Sequence, residues 1–178
     1  MAYIADVPLA KAEGPTQLIY REILSAFGFL PHFWEAQGTR PDLMRANVEL
    51  WGKIYRSGVL SPALKEEILL VVSAANLNSY CIIAHLRLLV QLGVERSLGR
   101  KLTEDLESAP VPEKDKAVLR FAVELTRRPS EVRREDIEEL RRKGWNEAEI
   151  LEICFAASHA NYFNRLATSL GVIPDDVL

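Results

Sequence analysis

The stretch "SPALKEEILLVVSAAN", residues 61–76, limits the fold more than any other. Ser61 is a good helix N-cap and Pro62 suits the first helical position, so a helix starts here. From Ile68 to Val72 this helix is apolar on nearly every side, so other elements have to bury it. Those elements also read as helices. Apolar residues recur at helical spacing along the chain, and strand-like alternation is almost absent. The spacing predicts helices at about 15–27, 40–57, 79–92, 114–127, 134–143 and 146–170, with shorter ones in "LPHFWEAQG" and at about 95–104. Gly28, Gly58, Gly93 and Gly171 stand where helices should stop. The expected fold class is all-α, a helical bundle.

With 178 residues, 48% of them hydrophobic, the chain is long enough for one domain with a substantial core. We read residues 1–178 as a single domain with a first half at about 15–105 and a second at about 112–172. "ESAPVPEKD", residues 107–115, is the expected linker between them. The net charge is −3, and opposite charges are interspersed, as in "REDIEELRRKGWNEAE". Such patterning belongs to solvated helix faces and argues against nucleic acid or an acidic membrane as partner. The longest apolar run, "ILLVVSAA", is too short to span a bilayer. "MAYIADVPLAKAEGP" has neither a basic segment nor a long apolar one, and does not read as a signal peptide. Two cysteines 73 residues apart make no disulfide framework. The expected setting is a reducing compartment, the cytoplasm.

The chain echoes itself. "EEILLVVSAANLNSYC" lines up with "AEILEICFAASHANYF" at an offset of 82, with Tyr80 against Tyr162. "LGV" occurs at 92–94 and again at 170–172. Apolar helices can look alike by chance, but two separate markers agree. An internal pseudo-repeat of helix pairs is therefore expected, with only one copy carrying chemistry. Ala148, Phe163 and Ala167 stand against Glu66, Cys81 and His85.

Those three residues form the candidate site. Asn78 is a strong N-cap for the helix that follows, which places Cys81 in the first turn. The positive end of the helix dipole favours a thiolate there. His85 is one turn further on the same face, with Cβ atoms roughly 5–6 Å apart at that spacing, so its imidazole can reach the sulfur. Protonated, it would lower the thiol pKa further; neutral, it could act as a base. Glu66 lies on the preceding helix. If the two helices fold back on each other, Glu66 and His85 differ in depth by four residues, about 6 Å. A carboxylate that orients an imidazole serving a thiol is the logic of an activated nucleophile. Glu67 is one position round and should face elsewhere.

The plainer alternative is that Cys81 is core, since free cysteine usually behaves as a small hydrophobe. Its helix-start position and the glutamate upstream weigh against that. Cys154, within "ILEICFAAS", reads as core. His159 is five residues beyond it, off the same stripe, and should pack or hydrogen-bond. His32, in "LPHFW", could be a site wall or a surface residue. No set of side chains has the paired spacing of a zinc site, so no metal is expected.

At these residues the chain resembles the alkylhydroperoxidase (AhpD-like) and carboxymuconolactone decarboxylase family, and within it the peroxidase-related proteins. The family pattern is a glutamate, a Cys-x-x-Cys twelve residues on, and a histidine four after the second cysteine. Glu66, Asn78, Cys81 and His85 fall in that register, and "LRRKGWNEAEILEICFAASHANYFNRLATSLGV" resembles the family's second half, around Asn161 and Arg165. The resemblance implies an AhpD-like helical fold and a homo-oligomer, often a trimer or hexamer. It also implies reduction of a hydroperoxide, with Cys81 as peroxidatic thiol and Glu66 and His85 as the catalytic proton relay. Asn78 and Tyr80 would be site neighbours. No bound cofactor is implied; an external thiol reductant or redox protein is. The departure is Asn78, which replaces the resolving cysteine. A sulfenic acid on Cys81 would need an outside thiol, or Cys154 if the fold brings it near.

Two rival readings remain. One is a decarboxylase-like or isomerase-like lyase, in which Glu66 and His85 transfer protons and Cys81 is incidental. The other is a non-catalytic helical oligomer that binds a small ligand or a redox partner. Its pocket could be lined by helix 68–75 and by Phe33, Trp34 and Trp51.

Overall fold

In the computed structural model, which describes residues 2–176, Ser61 caps a helix as its sequence requires. Its hydroxyl accepts from the Leu64 amide at 3.2 Å. The helices are α1 (Gly14–Phe27), α2 (His32–Glu35), α3 (Pro41–Trp51), α4 (Pro62–Ala75), α5 (Ser79–Gln91), α6 (Arg96–Glu104), α7 (Glu113–Arg127), α8 (Arg134–Arg142) and α9 (Glu147–Leu170). There is no strand among the described residues. The fold is all-α.

The bundle is built around α4. Ile68 to Val72 are each at most 2% exposed. A helix so evenly apolar needs neighbours on every side, and α5, α6, α7 and α9 supply them. This larger core also holds Leu60, Leu64, Leu89, Leu119, Leu140 and Ile153. A second, smaller cluster joins the N-terminal helices to α5 and α9. It contains Ile19, Tyr20, Phe33, Trp34, Tyr80, Cys81 and Phe163. Trp51 packs against both clusters.

Two elements differ from expectation. The helix predicted over 40–57 is α-helical only to Trp51, and then widens into a π-turn over Gly52–Arg56. Such turns are uncommon and concentrate at functional sites. Here it brings Ile54 and Tyr55 into the larger core, where the Tyr55 hydroxyl donates to the Ala156 carbonyl at 3.1 Å. Second, residues 107–115 are packed down and do not form a free linker. A 3-10 turn covers Leu106–Ser108, Ala109 is buried, and the buried Lys116 ammonium donates to the Glu107 carbonyl at 2.9 Å. No helix of the described residues is long and apolar enough to cross a membrane.

Candidate active site

The site depends on how the chain turns between α4 and α5. Leu77 takes a left-handed conformation, with φ of 55°, and its side chain is 87% exposed. That conformation is strained for a branched side chain. The asparagines on either side hold it. The buried Asn78 accepts from the Cys81 amide at 2.8 Å through its side-chain oxygen. Its side-chain NH2 donates to the Asn164 carbonyl at 3.0 Å and the Thr168 hydroxyl at 2.9 Å. The Asn76 side chain donates to the oxygens of Asn161, at 3.0 Å, and Asn164, at 2.9 Å. Asn164 in turn donates to the Ser73 hydroxyl at 3.0 Å. A polar seam on α9 thus fastens the turn, and it leaves few of these buried groups unpaired.

The fold-back places Glu66 opposite His85. Glu66 Oε2 lies 2.7 Å from His85 Nδ1, and the Cys81 side chain is near enough to the imidazole to help it hold its proton. Cys81 is 4% exposed. Burial alone would lower the His85 pKa, but the Glu66 carboxylate and Cys81 outweigh it and push it up to about 9. The Glu66 carboxylate thus favours the protonated imidazole. Glu67 does face elsewhere. It is buried toward α7, where desolvation, aided by Asp115, pushes its carboxyl up to about 7.

Glu66, Cys81 and His85 line a cavity of about 250 Å³. Phe33, Trp34 and Trp51 form part of its wall, as do Tyr80 and Asp175. The Tyr80 hydroxyl donates to Asp175 Oδ2 at 3.1 Å and accepts weakly from the Phe33 amide at 3.4 Å. Burial and then the Asp175 carboxylate raise the Tyr80 pKa, so it stays a neutral donor. A larger open cleft of about 700 Å³ lies on the far side of α4, lined from α4, α6, α7 and α8. It contains no cysteine or histidine among its lining residues, so the smaller cavity is the candidate site. Val71, Ala74 and Ala75 line that other cleft and not the site cavity. The stretch 68–75, expected as a possible pocket wall, is thus core and cleft floor. The cause is the direction of α4, which presents Glu66 but not its apolar end to Cys81.

The remaining candidates fall outside the relay. Cys154 is half-buried against the larger core, and burial pushes its thiol pKa up. Phe163, Leu166 and Ala167 are α9 residues of the cluster that holds Cys81. They lie nine to thirteen residues beyond Cys154, about 13–20 Å along a helix. A disulfide needs Cα atoms within about 7 Å, so the course of α9 within one chain sets Cys154 apart from Cys81. His159 packs against Phe163, Tyr162 and Tyr55, and neither ring nitrogen has a hydrogen-bond partner. Burial lowers its pKa to about 4, so it is a neutral packing group. His32 sits beside the site, its amide donating to Asp175 Oδ1 at 2.7 Å. Among the described residues no group of three or more His, Cys, Asp or Glu could hold a metal ion.

Sequence reasoning missed Asp175, Phe27 and Phe29, all of which line the cavity. Asp175 lies 143 residues from His32 and belongs to no local pattern. Phe163 also lines the cavity, although the echo that sets it against Cys81 marked its copy as the one without chemistry.

Residues 41–97, which include Glu66, Cys81 and His85, match the Carboxymuconolactone decarboxylase family. No curated protein sequence matches the chain significantly. Among solved structures, the chain is similar to a peroxidase-related protein from Ralstonia eutropha JMP134, described as an alkylhydroperoxidase AhpD core. The TM-score is 0.90 at 25% identity, covering 98% of this chain and 93% of that one. It is also similar to a peroxidase-related protein from Silicibacter sp. TM1040, with a TM-score of 0.88 at 27% identity, covering 97% and 91%. The debrominase Bmp8, solved as a cysteine-to-alanine variant with 2,3,4-tribromopyrrole, has the same fold. Its TM-score is 0.85 at 22% identity, covering 98% and 92%. Family match and fold agree with the Glu66, Cys81 and His85 register: residues 41–97 match the carboxymuconolactone decarboxylase family, and the chain as a whole is similar in fold to AhpD-like peroxidase-related proteins.

Proposed function

We propose that the chain is a thiol-dependent oxidoreductase that reduces an organic hydroperoxide through Cys81. One observation carries this reading: the chain of contacts from Glu66 to His85 to the Cys81 thiol, at the wall of a cavity. The Cys81 thiolate attacks the terminal peroxide oxygen. A sulfur–oxygen bond forms as the oxygen–oxygen bond breaks, and the protonated His85 delivers a proton to the departing alkoxide. The peroxide is reduced to an alcohol and Cys81 is oxidised to a sulfenic acid. Glu66 holds the imidazole in place and favours its cationic form. Asn78 cannot resolve the sulfenic acid, and Cys154 is too far along α9. An external thiol condenses with it, releasing water and leaving a mixed disulfide that a second thiol reduces. No bound cofactor takes part in this scheme.

Mass spectrometry after one equivalent of hydroperoxide tests it. We expect one added oxygen on Cys81, stable without thiol and removed with it. Cys81→Ser protein should lose turnover. An unmodified Cys81, or full turnover by Cys81→Ser, overturns the proposal; the second outcome would favour a lyase run by Glu66 and His85.

A second thiol reaction gains support from the likeness to Bmp8, whose variant binds a halogenated aromatic ring. The present cavity is also ringed by aromatic side chains and pairs no second thiol with Cys81. Thiol-driven removal of halide from such a ring would show as halide release that depends on Cys81. For assembly, we propose a homo-oligomer. Leu151, Phe155 and Tyr162 form an outer stripe of α9 and are 59%, 50% and 48% exposed. Light scattering should give a mass above that of the 20.1 kDa chain.

A further inference from the structure

The rings around the cavity form an unbroken band. Phe29 and Phe27 have centroids 6.4 Å apart, Phe27 and Trp51 5.1 Å, and Trp51 and Trp34 6.3 Å. Trp34 and Phe33 follow at 5.1 Å, and Phe33 and Phe163 at 4.7 Å. All six line the cavity that holds Cys81. They come from the end of α1 and the loop after it, from α2, α3 and α9. Such dispersed rings in one wall form an aromatic surface, and rings favour offset or edge contacts with other rings. Most of the polar groups in the wall are already engaged, the exposed Gln91 at its edge apart. Glu66 holds His85, the Tyr80 hydroxyl donates to Asp175, and Asp175 also holds the His32 amide. Arg87 lies over the Phe29 ring, 5.5 Å from its centroid. What the wall offers a ligand is therefore chiefly aromatic surface, with Cys81 and His85 as the reacting end.

Size narrows the choice. The cavity of about 250 Å³ is below the roughly 300–1,000 Å³ typical of drug-sized ligands. It suits one ring with short substituents. We infer that the substrate is a small, uncharged compound carrying a single aromatic ring, an aryl-substituted hydroperoxide under the function proposed above. The inference rests on that function only for the peroxide group; the ring preference follows from the wall.

Binding and turnover separate the two claims. Binding is measured with unreactive products, 2-phenyl-2-propanol against tert-butanol, by quenching of tryptophan fluorescence in Cys81→Ser protein. Trp34 and Trp51 report directly on the wall. We expect saturable quenching by the aryl alcohol at concentrations where tert-butanol has no effect. In turnover, cumene hydroperoxide should exceed tert-butyl hydroperoxide in kcat/KM by at least tenfold. Ala84→Leu, which puts a larger side chain into the cavity, should weaken aryl binding at least tenfold while the protein still unfolds cooperatively. Equal binding of both alcohols, or equal kcat/KM for both hydroperoxides while Cys81 oxidises, overturns the ring preference and leaves the peroxidase reading intact. Aryl binding without oxidation of Cys81 by either hydroperoxide does the reverse. The comparisons made with Ala84 intact, of the two alcohols and of the two hydroperoxides, decide the matter even if the Ala84 variant does not fold.

Discussion

The region around Cys81 and the matching region of α9 have similar sequences and opposite shapes. At an offset of 82, Asn76, Leu77 and Asn78 stand against Ser158, His159 and Ala160. The first set ends one helix and starts the next, whereas the second lies inside an unbroken helix from Glu147 to Leu170. The break has a large geometric effect. Nineteen residues along a continuous helix are about 28 Å, so Ala148 and Ala167 could never touch. Across the break the same separation brings Glu66 within 2.7 Å of His85. The unbroken helix also serves the broken one, because Asn161, Asn164 and Thr168 supply partners for Asn76 and Asn78.

Removing the carboxylate that the fold-back delivers should have the largest effect. Glu66→Gln is expected to lower kcat/KM for hydroperoxide by about 10²–10⁴, the range for a positioned proton relay. The pH profile adds a sign. The His85 pKa is raised from 6.5 to about 9 in the folded chain. The stability it confers is therefore complete below about 6.5 and fades as pH rises through about 9. In Glu66→Gln protein that fall should move to lower pH. Urea denaturation between pH 6 and 10 would read it, and an unmoved profile would mean Glu66 does not hold the proton.

Next comes the break itself. Asn78→Ala removes a cap and two side-chain donors in a buried seam, with an expected loss of about 2–3 kcal/mol. Urea midpoints check this. A loss under about 0.5 kcal/mol would show that Leu77 and the surrounding core hold the turn without the seam.

The third change tests Glu67, the neighbour of Glu66 that turned the other way. Its pKa is raised from 4.5 to about 7, so the folded chain favours the neutral carboxyl. Stability tied to it is complete below about 4.5 and is lost as pH rises through about 7. Glu67→Gln should thus be more stable than wild type at pH 8, by about 1–2 kcal/mol, and equal to it at pH 4. Equal stability at both pH values would mean the carboxyl is better solvated than its burial implies.

The smallest effect belongs to the strained residue. Leu77→Asn puts a side chain tolerant of the left-handed region at an exposed position, with an expected gain of about 0.5 kcal/mol in thermal denaturation. A loss would point to a role for the exposed leucine outside the single chain.

Much of this could be read along the chain because the signals are local. The Asn78 cap needs only Cys81 three residues on, and the pairing of Cys81 with His85 needs only one helical turn. Glu66 needed one further assumption, that two helices joined by three residues fold back on each other. The end of α3 was misjudged because a π-turn and an α-helix have the same apolar pattern over five residues. Residues 107–115 look like a linker in composition, but Ala109 is buried, and burial depends on neighbours far along the chain.

By itself, then, the sequence determined the all-α class, the buried α4 and the Glu66, Cys81 and His85 register, since each rests on helical periodicity or caps within a few residues. Only the tertiary structure decided the rest. It joined Asn78 to α9, put Cys154 out of reach of Cys81, brought Asp175 beside Tyr80, and linked rings from separate segments into one band. Those relations depend on which helix faces meet, and no local spacing in a chain specifies that.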